Sequence, residues 1–310
     1  MLKQTTKILL ITILLLIFAG CGVKSQVASS NIYTGTDINS LSTDNNSNKA
    51  VDDSKLKAGG EFEPADRTLV ELAATKTTAE ITNQTKQVKL LEGLTICIDP
   101  GHGRLTKKVK STEPIAPGSR IMKAATASGT TGVATKITEE SLNLTVSLKL
   151  KKALIEKGAK IIMVRETNVC NMTNVERTEF WNKSGADLTI RMHANGSNDK
   201  RVAGILMMVP GDKYIKDKDM LDKSAKAGQF IMESVLTSTK AKSRGTVKST
   251  ELTGFNWSDI PVMLLEMGFM TNPEEDRLLN TDSYQNKIVD GIVEGVAKYN
   301  DYLKKVKTKK

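Results

Sequence analysis

The chain has 310 residues and a formal net charge of +10, with 45 lysines and arginines against 35 aspartates and glutamates. Aromatic residues make up 4% of it, and it contains three cysteines and two histidines. So few aromatics argue against a stacking platform for single-stranded nucleic acid, and so few cysteines exclude a small disulfide-framed fold. The positive charge favours an anionic wall polymer or lipid headgroups as partner, and we expect no nucleic acid partner.

The first residues have the pattern of an export signal. A lysine-bearing start is followed by an apolar run over residues 8–19 and by small residues before Cys21. The run is short for a spanning helix, and "FAGC" resembles a bacterial lipobox, whose cysteine becomes lipidated. The alternatives are an ordinary signal peptide or an uncleaved anchor. We therefore predict a lipoprotein signal peptide over 1–20. Lipidation of Cys21 would hold the exported protein on the outer face of the bacterial cytoplasmic membrane, facing the cell wall.

The next segment, 21–90, is rich in Ser, Thr, Asn, Asp and Lys and has no apolar periodicity. Such a composition is typical of a polar tether, here one that starts at the lipid anchor. A catalytic domain is predicted over 91–303, followed by a basic tail, "KKVKTKK", over 304–310. The domain is long enough to bury a single core.

Apolar strands alternate with amphipathic helices through the predicted domain. The strand segments are "LTICID", "AKIIMVR", "ADLTIRMH", "AGILMMVP" and "IPVMLLEMG". Helices are predicted over 139–158, over "VERTEFWNKSG", over 219–237 and at the C-terminus. This alternation predicts an α/β fold, in which a mostly parallel central sheet is flanked by helices on both faces.

Both histidines and one glutamate stand at the ends of predicted strands. His102 follows "TICIDPG", His193 lies in "IRMHANGS" and Glu266 lies in "VMLLEMGF". Ligands of open α/β sheets gather outside the carboxyl ends of the strands, and a carboxylate ending an apolar run must be paired, metal-bound or protonated. Glu139 opens a helix after Thr138, where capping and the helix dipole would explain both residues. Two histidines and one glutamate are a ligand set typical of catalytic zinc. The second glutamate is then available to transfer protons.

Four ordered motifs carry a family resemblance: "IDPGHG", "EESLNL", "MHANGS" and "LLEMGFMTNPEED". In this order they resemble the zinc-dependent N-acetylmuramoyl-L-alanine amidases of the Amidase_3 type, over about residues 94–302. The resemblance implies that His102, Glu139 and His193 bind Zn²⁺ and that Glu266 is the catalytic glutamate. It also implies a peptidoglycan hydrolase. The bond cleaved would be the amide between N-acetylmuramic acid and L-alanine of the stem peptide, by zinc-activated water with a glutamate general base and acid.

Three further residues are candidates around this site. Asp99 and Asn195 are candidates for orienting a zinc-binding histidine through its other ring nitrogen, although Asp99 could instead shape the turn before Pro100. Arg191 lies two residues before His193, so strand parity places both side chains on one face. It is a candidate for binding a stem-peptide carboxylate, or for a salt bridge to a neighbouring loop.

The connection between His102 and Glu139 is long and basic and contains Gly, Pro and Ser. Connections of this length are uncommon without a functional reason. We expect it to border the cleft and to shape substrate choice.

Of the two cysteines after Cys21, Cys97 lies within an apolar strand and is most simply a small buried hydrophobe. A disulfide with Cys170 is compatible with the sequence, although the spacing does not demand one.

Two other functions stay open from the sequence. One is a zinc carboxypeptidase or endopeptidase acting on stem peptides, which would share the metal chemistry and cut a different bond. The other is an inactive wall-binding lipoprotein.

Overall fold

The computed structural model describes residues 89–308. The predicted signal peptide, the lipidation site Cys21 and nearly all of the predicted tether lie outside these residues. Within the described range, no helix is both long and apolar enough to cross a membrane.

A six-stranded sheet forms the centre of the fold, in the order β4-β1-β5-β8-β6-β7. All of its neighbouring strands are parallel except β6 and β8, so the predicted mostly parallel sheet is confirmed. Strands β2 and β3 form a separate antiparallel hairpin. The strands are β1 (Thr95–Pro100), β2 (Thr112–Pro114), β3 (Met122–Ala124), β4 (Lys160–Met163), β5 (Leu188–Asn195), β6 (Ile205–Pro210), β7 (Ser243–Ser249) and β8 (Val262–Phe269).

Helices cover both faces of this sheet, as the sequence predicts. They are α1 (Glu139–Glu156), α2 (Asn174–Asn182), α3 (Lys218–Thr239), α4 (Thr253–Asn256), α5 (Pro273–Leu279) and α6 (Asp282–Lys307). Successive strand residues point to opposite faces, and β1 shows the division. Ile96 and Ile98 join the large core formed with α1, α3 and α6, whereas Cys97 packs in a second cluster with Trp181 of α2.

Two elements differ from the sequence expectations. Helix α6 continues to Lys307, so residues 304–307 of the predicted basic tail belong to the last helix. Its final turn carries three lysines, Lys304, Lys305 and Lys307, and cations are favourable near the negative end of a helix dipole. Strand β7, "SRGTVKS", was not predicted because its residues are polar; it lies almost fully exposed at the sheet edge.

Cys97 and Cys170 are both buried, free thiols. No disulfide joins them, so the pairing considered from the sequence does not form. Burial raises the pKa of the Cys97 thiol far above its ordinary value, and the charge on Asp99 adds to the effect. Cys97 is therefore a small hydrophobic core residue, as expected from its strand.

The long connection before α1 is packed against the domain through the β2–β3 hairpin. The buried Glu113 accepts a hydrogen bond from the Val175 amide at 3.0 Å, and the Trp257 indole donates to the Pro114 carbonyl at 2.9 Å. From β3, the Lys123 ammonium reaches Glu251 at 3.0 Å. The hairpin thereby forms one wall of the space beside the carboxyl ends of β1 and β5.

Candidate metal centre and its cavity

Three side chains from separate parts of the chain converge at the carboxyl ends of β1 and β5. His102 follows β1, His193 lies near the end of β5, and Glu139 is the first residue of α1. The Glu139 Oε1 atom lies 3.0 Å from His102 Nε2 and 3.1 Å from His193 Nδ1. The three residues predicted as ligands are thus in contact with one another.

Glu139 is held in place by groups that the sequence analysis did not identify. Its Oε1 accepts from the Asn143 amide side chain and from the Ala194 backbone, each at 3.2 Å. Its Oε2 accepts from the Thr130 backbone at 2.9 Å. Asn143 follows Glu139 by one helical turn within "EESLNL", and this i, i+4 spacing is the signal that could have identified it.

The side-chain capping considered as an alternative explanation at the start of α1 does not form. Thr138 occupies the N-cap position, but its side chain accepts no hydrogen bond from the helix backbone. Glu139 is buried, at 4% exposure, and its carboxylate faces the histidines. The contacts of Glu139 with the two histidines therefore explain its position, and interaction with the helix dipole alone does not.

His102 is oriented by a backbone carbonyl. Its Nδ1 lies 2.8 Å from the Ala127 carbonyl oxygen, a contact in which Nδ1 donates and which leaves Nε2 as the ring nitrogen that meets Glu139. Asn195 instead accepts from the Gly196 amide, and Asp99 accepts from two arginines. Among the described residues neither makes a hydrogen bond with a histidine ring, and the orienting role stays a prediction.

The turn that presents His102 is held by two buried arginines. His102 has a φ of 59°, a left-handed conformation that costs a non-glycine residue about 1–2 kcal/mol. Arg177 donates to the His102 carbonyl, and Arg165 donates to the Gly101 carbonyl at 2.8 Å. The Gly101 amide donates to the Met192 carbonyl at 2.8 Å, which ties the turn to β5.

The protonation states of the cluster follow from burial and close contact. Burial alone would raise the pKa of Glu139, but hydrogen bonds from His102 and His193 hold it far below its ordinary value. Burial lowers the pKa of His193 to about 4. Burial also acts to lower the pKa of His102, but the contact with Glu139 outweighs it and the pKa is raised. Near neutral pH Glu139 is ionised and His193 is unprotonated, which are two of the three protonation states that a metal ion requires.

The donor set fits Zn²⁺. Two imidazole nitrogens and one carboxylate oxygen are common ligands of catalytic zinc, and the three ligand atoms all lie within 4.8 Å of one another. At zinc–ligand bond lengths of about 2.0–2.2 Å, ligand atoms in a tetrahedron lie about 3.4 Å apart. The observed separations of 3.0 and 3.1 Å come within a few tenths of an ångström. Among the described residues, no other group of His, Cys, Asp and Glu side chains has such an arrangement.

Glu266 lies beside the cluster and outside it. It is paired with His193 across β5 and β8, and its Oε2 is buried with no hydrogen-bond partner among the described residues. Burial raises the pKa of Glu266 to about 8, the charge on Glu139 adds to the increase, and Arg191 opposes it. This carboxyl is therefore adjacent to the cluster and able to exchange a proton near neutral pH.

A cavity of about 400 Å³ opens beside the two histidines. His102, His193 and Arg191 line it, the Lys123–Glu251 pair forms part of its wall, and Leu264 contributes apolar surface. The expectation that the connection before α1 borders the cleft is confirmed, because Lys123, Ala124, Thr126 and Ala127 all line this cavity. The space suits part of an extended substrate laid across the cluster.

Gly101→Ala is expected to weaken zinc binding by about 10-fold to 100-fold, the usual effect of disturbing residues that support a metal ligand. A Cβ at this position would overlap the imidazole ring of His193, so the ring would have to move away from Glu139. Competition with a chromophoric chelator measures the affinity, and thermal unfolding of the same sample serves as the folding control. Unchanged affinity in a folded variant would contradict the assigned role of His193.

Comparison with known proteins supports the same reading of the motifs. The family model described as N-acetylmuramoyl-L-alanine amidase, Amidase_3, matches residues 96–298. The chain belongs to this family. Its match to the uncharacterized protein YqiI of Bacillus subtilis is 26% identical and covers 68% of this chain and 87% of YqiI. A germination-specific N-acetylmuramoyl-L-alanine amidase of the same organism is 27% identical, with 67% of this chain and 81% of that protein covered.

Two solved structures of N-acetylmuramoyl-L-alanine amidases share this fold. The amidase Ami1 of Mycobacterium smegmatis superposes with a TM-score of 0.59 at 21% identity, covering 67% of this chain and 97% of that one. An N-acetylmuramoyl-L-alanine amidase of Clostridium difficile 630 gives a TM-score of 0.55 at 25% identity, with the same coverage. The residues matched by the family model, 96–298, lie within the described residues 89–308.

Proposed function

We propose that the protein is a zinc-dependent peptidoglycan amidase that cleaves the bond between N-acetylmuramic acid and L-alanine of the stem peptide. One observation carries the proposal: His102 Nε2 and His193 Nδ1 converge on the Glu139 carboxylate beside a cavity, in a chain of the N-acetylmuramoyl-L-alanine amidase family. In this proposal these three residues bind Zn²⁺ and Glu266 is the catalytic carboxyl.

The proposed reaction is hydrolysis of a linear amide. When bound, zinc lowers the pKa of a coordinated water and polarises the scissile carbonyl. Glu266 accepts a proton from the attacking water and delivers it to the leaving nitrogen of L-alanine, so that the products are a free lactyl carboxyl and a free amino terminus. Burial raises the pKa of Glu266 to about 8, which favours its holding the proton that the second step delivers to the leaving nitrogen.

Stem-peptide cleavage at another bond is the alternative enzyme activity, and an inactive wall-binding protein is the alternative without catalysis. A defined muropeptide separates all three when its digest is analysed by mass spectrometry. The proposal predicts intact stem peptide with a free N-terminal alanine and free N-acetylmuramic acid ends. Shortened peptides would indicate a carboxypeptidase or endopeptidase, and unchanged muropeptide in the presence of zinc would indicate an inactive binder.

We further propose that residues 1–20 direct export and that a lipid on Cys21 anchors the protein, with 21–90 as tether. The "FAGC" sequence supports lipidation, and export agrees with the curated relatives, one of which is a probable cell wall amidase of Staphylococcus epidermidis. Full-length protein is expected to partition into the detergent phase of a cell lysate, whereas Cys21→Ser loses the lipid and shifts to uncleaved precursor. Identical mass and partitioning of the two proteins would contradict the lipid anchor.

A further inference from the structure

Arg191 is a buried cation with a rigidly held side chain. Its Nε donates to Asp99 Oδ2 at 2.9 Å, and its guanidinium carbon lies 5.7 Å from the centroid of the Trp181 ring, a cation–π distance. The backbone of Gly254 closes the other side, since a Cβ there would come within 2.7 Å of Arg191 Nη1. Neighbours on three sides therefore fix the plane of the guanidinium.

Most donors of this guanidinium remain unused. An arginine side chain has five N–H donors, and among the described residues only Asp99 accepts a hydrogen bond from Arg191. The side chain is 7% exposed, it lines the cavity next to His193, and neither Nη atom is sealed from solvent. The forked Nη edge is thus the part of Arg191 that the cavity can reach.

Arg191 shares the one carboxylate to which it donates a hydrogen bond with a second arginine. The fully buried Asp99 accepts from Arg177 Nη1 at 2.7 Å as well as from Arg191, so one carboxylate serves two guanidinium groups. Burial would raise the pKa of Asp99, but the two arginines lower it to about 2, and the carboxylate is ionised at neutral pH. The three groups carry a net charge of +1, and a partly desolvated charge favours an ionic partner.

No other carboxyl in the described part of the chain makes a hydrogen bond with Arg191. Glu251 pairs with Lys123 at the cavity wall. Glu139 contacts the two histidines, and Glu266 makes no hydrogen bond with Arg191. The planar fork of an arginine matches a carboxylate in a two-point contact, which is stronger and more selective than a single one.

We infer that Arg191 binds the α-carboxylate of the acidic second residue of the stem peptide. This inference rests on the proposed function, which places the scissile amide at His102, Glu139 and His193. Two residues of a strand span about 6.6 Å, which sets the separation of Arg191 and His193 along β5. The end of the second stem residue lies two residues from the scissile bond, and two residues span at most about 7.2 Å, so the second residue can reach Arg191 when the bond before L-alanine lies at the cluster.

Two synthetic muramoyl-peptides test this inference. They differ only at the second stem residue, which carries an α-carboxylate in one and the primary amide in the other. Full-length wild-type protein with zinc is expected to show at least about tenfold higher kcat/KM for the carboxylate, the discrimination expected from a charged hydrogen bond at a partly buried site. Equal kcat/KM values for the two would overturn the inference and leave the amidase proposal standing, whereas cleavage of neither would overturn the amidase proposal itself.

Variants assign the discrimination to Arg191. Arg191→Gln is expected to bring the ratio of kcat/KM for the carboxylate and the amide substrates to about one, and thermal unfolding with metal analysis of the same sample shows whether the variant is folded and loaded. Arg191→Lys keeps a charge beside Asp99 without the fork and should retain part of the preference. Arg201→Gln is the control, because Arg201 is an exposed arginine paired with Asp199. Full discrimination by Arg191→Gln would contradict the inference.

Discussion

Glu266→Gln is expected to lower kcat by about 100-fold to 10,000-fold, the range for losing a general acid–base group, without loss of bound zinc. Glutamine has nearly the same shape, so packing around β8 should be conserved. It cannot accept a proton from water or return one to the leaving nitrogen. Because Glu266 is not one of the three residues whose possible ligand atoms lie together, the substitution leaves all three proposed ligands in place.

Steady-state kinetics on a muramoyl-peptide and metal analysis of the same sample check this expectation. A variant that retains zinc and has wild-type kcat would show that another group moves the proton. Loss of both zinc and activity would instead indicate that Glu266 is a zinc ligand.

Glu139→Gln is expected to abolish stoichiometric zinc binding and to reduce hydrolysis to background. The uncharged amide is a poor zinc ligand, and its NH₂ group would face the two imidazoles or the Thr130 amide, which now meet carboxylate oxygens. The substitution also removes the carboxylate that contacts both His102 and His193. The effect should exceed that of Gly101→Ala, which displaces one ligand and removes none.

Glu140→Gln provides a matched control in the same helical turn. Glu140 is the neighbouring carboxylate, and it lies outside the cluster formed by His102, Glu139 and His193. Isothermal titration of zinc into chelator-treated protein should give one site for Glu140→Gln and none for Glu139→Gln. The opposite result would transfer the ligand role to Glu140.

The fold class could be predicted from the sequence because the core strands are continuous apolar segments. Strands β1, β5 and β8 lie at the centre of the sheet, and their residues are almost all buried. The edge strand β7 lacks that signal, because an exposed edge imposes no apolar pattern. The order of the strands was not accessible, since it depends on pairings between segments far apart in the sequence.

The site could be predicted only in part, because it too depends on contacts between segments far apart in the sequence. Histidine and glutamate can be located in a sequence, and the structure brings His102, Glu139 and His193 together as expected, although their catalytic roles stay a prediction. The Ala127 carbonyl that orients His102 could not have been found, because any residue presents a carbonyl. Strand parity placed Arg191 beside His193, but its pairing with Asp99 requires β1 to lie next to β5.

The most direct test of a zinc amidase at this site is the product released from purified peptidoglycan by the full-length protein, before and after chelator treatment and after zinc is restored. Mass spectrometry is expected to find intact stem peptides with free N-terminal L-alanine from untreated protein, none after chelation, and recovery with zinc. Release of the same peptides at an undiminished rate by fully zinc-depleted protein would contradict a zinc centre at His102, Glu139 and His193. Release of shortened peptides alone would contradict the proposed bond.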